Sequence, residues 1–229
     1  MFSRTLIFDV ETTGLIQKTK NIANQPHIIQ LSFIIANISK EGSSTVEIVR
    51  EFDAYIRIDD SVEVSSKITE ITGITKDRCV EQGVPIKNAL LEFYNEYIKA
   101  DCIVSHNIAF DSGMILIEFE RNYHDMIDIG CDTPYLLFNP MYNHVNHKKI
   151  FCTMTEGKEL PSFIRTYQPK KITCSSDENA TIAPQRTYKK TPKLVELYTY
   201  LYPDRPIPQG LHDSLVDTKV CMECYIAMI

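Results

Sequence analysis

Thr5-Leu6-Ile7-Phe8-Asp9-Val10-Glu11-Thr12-Thr13-Gly14 is the stretch on which the fold turns. Its apolar half, Thr5 to Phe8, reads as a buried strand, and that strand ends in two acids one residue apart, with threonines and a glycine directly after them. Positions two apart on a strand face the same way, so Asp9 and Glu11 address one site while Gly14 lets the backbone turn aside. Carboxylates so placed call for a cation, and oxygen-only ligands suit magnesium or manganese rather than zinc. Acids before glycine-containing turns are also common as solvated strand ends, so this stretch leaves both readings open and distant residues have to decide.

Moving outward, residues 15–26 are polar and read as a loop. A densely apolar, β-branched run from Ile28 to Ile38 and an alternating stretch from Glu47 to Ile58 are the next strands, with Lys40-Glu41-Gly42-Ser43-Ser44 as their hairpin turn. Ser65 or Ser66 caps a short helix through Ile71, stopped by Gly73, and Pro85 opens a stronger helix with Ile86, Leu90, Phe93, Tyr94 and Tyr97 apolar. Cys102-Ile103-Val104 is a brief buried strand leading through Ser105-His106-Asn107 into a helix from Phe110 to Arg121, where Met114, Ile117 and Glu118 fall at i+4, i+7 and i+8. Thr133-Pro134 starts another short helix and Ile150 to Thr153 is a further strand. Pro169 to Pro192 is too long for an ordinary connection and reads as a surface insertion with room for a β-hairpin. Lys193 to Tyr202 is helical, Pro203 to Pro208 is a loop, and Leu211 to Met228 forms a closing amphipathic helix open to pairing with a second copy. Strands first, then alternation with helices, implies a mixed sheet.

A chain of 229 residues with 44% apolar and 24% charged content is expected to form one globular domain with an ordinary core. Its opening residues run straight into the first strand, and Asp9 interrupts the apolar stretch too soon for a signal peptide or membrane span, so an intracellular, cytoplasmic protein is the default. Seven cysteines without framework spacing read as reduced thiols, Cys221 and Cys224 as core thiols rather than a redox or zinc pair, and His144 and His147 as surface histidines. The net charge of −6 argues against indiscriminate nucleic-acid coating, yet the charge is polarised. Residues 145–205 hold eleven Lys/Arg against six Asp/Glu. Lys148, Lys149, Lys170, Lys171, Lys189, Lys190 and Lys193 therefore form either a phosphate-tracking face or a plain solvated one.

Two later stretches repeat the acidic theme. His106-Asn107-Ile108-Ala109-Phe110-Asp111 places an acid in the first turn of a helix after a buried strand, and His212-Asp213-Ser214-Leu215-Val216-Asp217 sets a histidine five residues before an aspartate, with Asp217 expected in the second turn of the last helix. In this order the three stretches resemble the motifs of the DEDDh branch of the DnaQ-like 3′-to-5′ exonucleases. Ile28-Ile29-Gln30-Leu31, Ile71-Thr72-Gly73-Ile74-Thr75 and Pro192-Lys193-Leu194-Val195-Glu196-Leu197-Tyr198 are similar to further parts of that family, whereas residues 122–149 and 169–192 look like additions suited to substrate grip or docking.

The resemblance implies an α/β, ribonuclease H-like domain over residues 1–229, with a five-stranded mixed sheet flanked by helices. It implies that Asp9, Glu11, Asp111 and Asp217 hold two divalent cations, Mg²⁺ or Mn²⁺, and that His212 is the general base. It further implies that Thr12 and Thr13 meet the terminal 3′-OH, that Leu15 presses on the terminal base, and that His106, Asn107 and Phe110 supply phosphate contact and a pocket wall. The expected activity is 3′-to-5′ exonucleolytic release of nucleoside 5′-monophosphates from single-stranded ends, DNA before RNA, with a polymerase or other replication or repair protein as partner. An exoribonuclease and a non-catalytic nucleic-acid-binding module of the same fold are the alternatives.

Overall fold

The computed structural model describes residues 2–39, 45–131, 133–167 and 186–229. β1 (Phe2–Thr12), β2 (Ile28–Ser39) and β3 (Thr45–Tyr55) pair antiparallel, and β4 (Cys102–Ser105) and β5 (Lys149–Cys152) add in parallel on the far side of β1. The result is a five-stranded mixed sheet in the order β3-β2-β1-β4-β5. Antiparallel neighbours need only tight connections, whereas parallel ones need crossovers of a dozen or more residues. α1 (Ser66–Thr72), α2 (Lys76–Gln82) and α3 (Ile86–Lys99) precede β4, and α4 (Ile108–Arg121), α5 (Tyr123–Asp128) and α6 (Pro140–Val145) precede β5. After β5 come α7 (Thr153–Gly157), an antiparallel ribbon of β6 (Ile164–Tyr167) and β7 (Arg186–Lys189), α8 (Leu194–Leu201) and α9 (Ser214–Met228). The expected turn Lys40 to Ser44 and most of the expected insertion at 169–192 lie outside the described residues, although the ribbon brackets the latter.

β1 is central because both of its faces are apolar. Leu6, Phe8 and Val10 pack against Leu90, Phe93 and Tyr97 of α3 and Met114 and Ile115 of α4. Ile7 packs with Ile34 and Ala36 of β2 against Cys221, Met222 and Tyr225 of α9. Asp9 and Glu11 share the strand parity of Ile7, so the alternation that builds the core also sends them to the α9 side.

The local signals hold where side chains act on their own backbone. Ser65 accepts from the Ile68 N–H and Gly73, at φ +71°, closes α1 in the left-handed conformation that glycine favours. α2, α5, α6 and α7 were not visible in the sequence pattern, since helices of five to seven residues are too short to show a 3.6-residue stripe.

Three expectations are corrected. α9 starts at Ser214 rather than Leu211, because Asp213 accepts from the N–H groups of Leu215 and Val216 as its N-cap. It is not amphipathic: the sheet covers one side, and Leu197 and Tyr198 of α8 cover Val220 and Cys224 on another. Residues 122–149 contribute to the packing, as Met126, Cys131 and Leu137 enter the main core and Asn143 accepts from the Tyr97 hydroxyl at 3.0 Å. Lys148, assigned above to a basic face, is buried. Its ammonium donates to the carbonyls of Tyr97 (3.0 Å), Ile98 (2.9 Å) and Ala100, where the C-terminal end of α3 favours positive charge. No described helix is long and apolar enough to cross a membrane.

Candidate active site

The site forms where β1 runs out of apolar residues. Asp9 lies opposite Ser32 and Glu11 opposite Gln30 of β2, and the register slips between Glu11 and Thr12, so the ladder is locally disrupted where the carboxylates emerge. β4, parallel to β1, ends at Ser105, whose hydroxyl donates to Asp111 Oδ2 at 2.6 Å from the strand end to the first turn of α4. Asp217 comes from the first turn of α9 rather than the second. His212, at φ +71°, sits in the preceding loop, and its backbone N–H donates to Asp217 Oδ2 at 3.3 Å. Ligand atoms of Glu11, His212 and Asp217 all lie within 4.8 Å of one another.

Electrostatics ties Asp9 and Asp111 to the same cluster. Burial holds Asp9 well above the usual carboxylate range, and the charges of Asp111, Glu11 and Asp217 push it in the same direction. Burial, then Asp217 and Asp111, lifts Glu11 to about 8. Asp111 is raised to about 7 by burial against the lowering influence of the Ser105 hydroxyl and the Val10 N–H. Asp217 is raised to about 6, again chiefly by burial. Like charges drawn together out of water disfavour their own ionisation. The buried Oδ1 of Asp217 has no hydrogen-bond partner among the described residues, so the cluster is short of positive charge and of donors. An all-oxygen acidic set with an adjacent imidazole and an orphaned oxygen fits a divalent cation.

A polar layer under the acids was missed by the sequence reading. Ser214 Oγ donates to the Asp9 carbonyl at 2.7 Å, and fully buried Gln30 donates to Asp53 (2.9 Å) and Asp213 (3.2 Å) while accepting from Ser214 N–H (3.2 Å). The signal was present as a single glutamine inside the apolar run Ile28 to Ile38, since a polar side chain in such a strand has to be satisfied by partners.

The remaining candidates separate. Thr12 donates to the Gly14 carbonyl (2.7 Å), and Thr13 exchanges hydrogen bonds with the His27 backbone (2.9 Å each), so both hydroxyls shape the turn. Leu15 is 74% exposed and borders an open cavity of about 420 Å³ with Thr13 and His27, which removes it from the core. Phe110 is half-buried against the main core. Asn107, at φ +71°, places its carbonyl under the Phe110 N–H (2.8 Å). His106 does not offer a free nitrogen to phosphate: burial lowers its pKa to about 4, and the neutral ring donates from Nε2 to the Pro192 carbonyl (3.2 Å) while Nδ1 accepts from Thr153 Oγ1 (2.9 Å). His144 and His147 are exposed. Cys221 and Cys224 are buried and burial pushes both thiols up, Cys224 to about 12, which is the opposite of a reactive or metal-binding pair.

Arg121, the last residue of α4, holds the loop after β1. Its guanidinium donates to the carbonyls of Ile22 (3.2 Å), Gln25 (3.0 Å) and Pro26 (3.1 Å) and to His27 Nδ1 (3.1 Å), and it pairs with buried Glu118, which also accepts from the Ile28 N–H at 3.1 Å. Burial and the neighbouring guanidinium lower His27 to about 4, so its 3.7 Å approach to Glu118 involves a neutral ring.

The RNase_T family, described as exonuclease, matches residues 6–225 of the chain. DNA polymerase III PolC-type of Streptococcus thermophilus is 36% identical over 117 residues, covering 51% of this chain and 7% of that protein. Its counterpart in Latilactobacillus sakei is 32% identical over 163 residues, covering 71% and 9%. The chain thus spans less than a tenth of the length of these curated relatives. Among solved structures, the zinc-bound form of E. coli ExoI with ssDNA aligns at a TM-score of 0.63 and 15% identity over 99% of this chain and 40% of that one. Exonuclease I of Methylocaldum szegediense aligns at 0.60 and 14% over 98% and 40%. At such identities the likeness is one of fold.

Proposed function

The chain belongs to the RNase_T exonuclease family, and from that premise we propose that it hydrolyses the terminal phosphodiester of single-stranded DNA in the 3′-to-5′ direction, releasing nucleoside 5′-monophosphates. The observation that carries this reading is the convergence of Asp9, Glu11, Asp111 and Asp217, each driven towards protonation by burial and by its neighbours, with Asp217 Oδ1 unpartnered. Four crowded carboxylates are an unfavourable arrangement that structure alone does not require.

These four side chains would hold two divalent cations, Mg²⁺ or Mn²⁺. When bound, such ions neutralise the acids and stabilise the attacking and leaving oxygens at phosphorus. His212, exposed in its loop beside Glu11 and Asp217, takes the proton of the attacking water on a ring nitrogen, the general-base task that imidazoles most often perform. The Asp213 cap and the Gln30 layer fix the start of α9 and with it Asp217. Leu15, presented by the loop that Arg121 anchors, meets the terminal base, and backbone groups of Thr12 and Thr13 meet the 3′-OH. Asn107 and Phe110 wall the entrance.

DNA is favoured because the relatives are named as DNA polymerases and a structural neighbour is described with ssDNA; a replication polymerase is the corresponding partner. The test is incubation of 5′-labelled DNA and RNA strands with Mg²⁺, with and without chelator. A metal-dependent ladder on DNA is expected. A ladder on RNA alone replaces the substrate with RNA, and no ladder on either strand leaves a non-catalytic binding module.

A further inference from the structure

The β6–β7 ribbon is exposed on both faces, with all eight residues open to solvent. Its register pairs Arg165 with Tyr188 and Tyr167 with Arg186. Directly opposed residues, and residues two apart along a strand, point to the same side of a sheet. One face of the ribbon therefore carries two tyrosines and two arginines in a chequerboard, with Ile164, Thr166, Thr187 and Lys189 on the other. Tyr167 and Tyr188 are 53% and 54% exposed, an unusual display of aromatic surface that packing does not explain.

Charge points in the same direction. The ribbon holds three basic residues and no acid, in a chain whose net charge is −6. Lys189 on the opposite face pairs with Glu159 and the following Lys190 with Glu196, whereas among the described residues no acidic side chain forms an ion pair with Arg165 or Arg186. Arg165 also borders an open groove of about 460 Å³ with Phe163, Tyr200 and Ile207, so aromatic surface continues from the ribbon onto the flank of α8, where the one acid of the groove, Glu196, is paired with Lys190.

The ribbon is rooted at the acidic site. Lys190 N–H donates to the Phe163 carbonyl at 2.7 Å, closing its base. Three residues beyond β7, the Pro192 carbonyl accepts from His106, whose neighbour Ser105 holds Asp111. His106 is thus a tie between the segment following the ribbon and the strand end whose Ser105 holds Asp111. That role accounts for its burial.

We propose that the Arg165/Tyr167/Arg186/Tyr188 face is a platform for the single strand upstream of the cleaved end, its bases stacking on the tyrosine rings and its phosphates meeting the guanidinium groups. Aromatic side chains interleaved with cations suit single strands of any sequence, because every base has a π face and every nucleotide a phosphate. The platform deepens the exonuclease reading and rests on it for the polarity of the strand, but its affinity for nucleic acid can be measured without turnover.

The experiment is fluorescence anisotropy of the full chain with a 5′-fluorescein oligothymidylate of about twenty nucleotides in EDTA. It compares the unchanged protein with Tyr167→Ala, Tyr188→Ala, Arg165→Ala and the Tyr→Phe pair, each first checked for an unchanged melting temperature. Each Tyr→Ala substitution is expected to weaken binding about tenfold, in line with the worth of one stacked base, while Tyr→Phe retains affinity because the ring is kept. Arg165→Ala is expected to flatten the salt dependence of binding by about one counterion. With Mg²⁺ present, the ratio of kcat/KM on the long strand to that on a dinucleotide is expected to fall about tenfold in the Tyr→Ala variants. Equal losses on the two substrates overturn the platform, as does a Tyr→Phe variant as weak as Tyr→Ala. Unchanged anisotropy also overturns it and leaves the face to a protein partner. If the unchanged protein binds the oligonucleotide but hydrolyses nothing, the exonuclease reading fails while the Tyr→Ala series still reports on the ribbon.

Discussion

Two partly buried groups of charged residues stand at opposite ends of α4, and they differ in a way that separates architecture from chemistry. At its C-terminal end, Glu118 and Arg121 form an ion pair in which the remaining hydrogen-bond capacity is spent on the backbone of residues 22–28. At its N-terminal end, Asp111 joins Asp9, Glu11 and Asp217 in a cluster of one sign, with an oxygen of Asp217 unanswered. Buried charges that are only structural come with partners, because an unpaired charge out of water is costly. An unanswered oxygen inside a cluster of like charges marks a place where a ligand belongs.

This contrast can be broken by substitution. The largest effect is expected from Asp9→Ala or Asp217→Ala, which should abolish nucleotide release without lowering the melting temperature measured in chelator at pH 8, because either change relieves like-charge repulsion. A melting temperature that collapsed instead would make the acids structural. His212→Ala should slow turnover by about 100- to 10,000-fold, the usual contribution of a general base, while a Mg²⁺-induced rise in melting temperature persists; an undiminished rate removes His212 from that role. Glu118→Ala strands Arg121 and should lower unfolding free energy in a urea titration by about 3–5 kcal/mol.

The smallest effects come from ions and protons. A divalent cation at about one hundred times its Kd adds about 2.7 kcal/mol, or about 5–10 °C in melting temperature for a chain of this length, and a scan with EDTA should lose that increment. Without the cation, Glu11 at about 8 and Asp111 at about 7 bind more protons in the folded chain than in the unfolded one, so their contribution to stability should fall as pH rises from about 4, the unfolded carboxylate value, through about 8, most cleanly above about 6.5. His27 and His106, both lowered to about 4, act in the opposite sense and only below about 6.5, where the unfolded chain takes up protons first. Saturating Mg²⁺ at pH 8 should cancel the alkaline decline, and a decline that survives it would separate the acids from cation binding.

The strands and the acidic motifs were legible because they are written in local pattern. Period-two alternation placed Asp9 and Glu11 together, Ser65 and Gly73 bounded α1, and Asp111 fell in the first turn of α4 as expected. Lys148, His106 and α9 were misread for a shared reason. Lysine, histidine and a mixed apolar helix do not announce which distant carbonyl, hydroxyl or sheet they will meet. Lys148 was counted with a basic face, yet it serves carbonyls roughly fifty positions earlier in the chain.

What the residues determined by themselves was the alternation of β1 and the chemistry of its acids, since side-chain parity and ligand preference are properties of a few adjacent positions. The tertiary structure alone decided that strands and helices from the beginning, middle and end of the chain bring four acids into one partly buried cluster, and that Arg121 rather than solvent holds the loop beside them. Burial and mutual repulsion arise only when those segments are packed, and they turn ordinary carboxylates into a set that demands a cation.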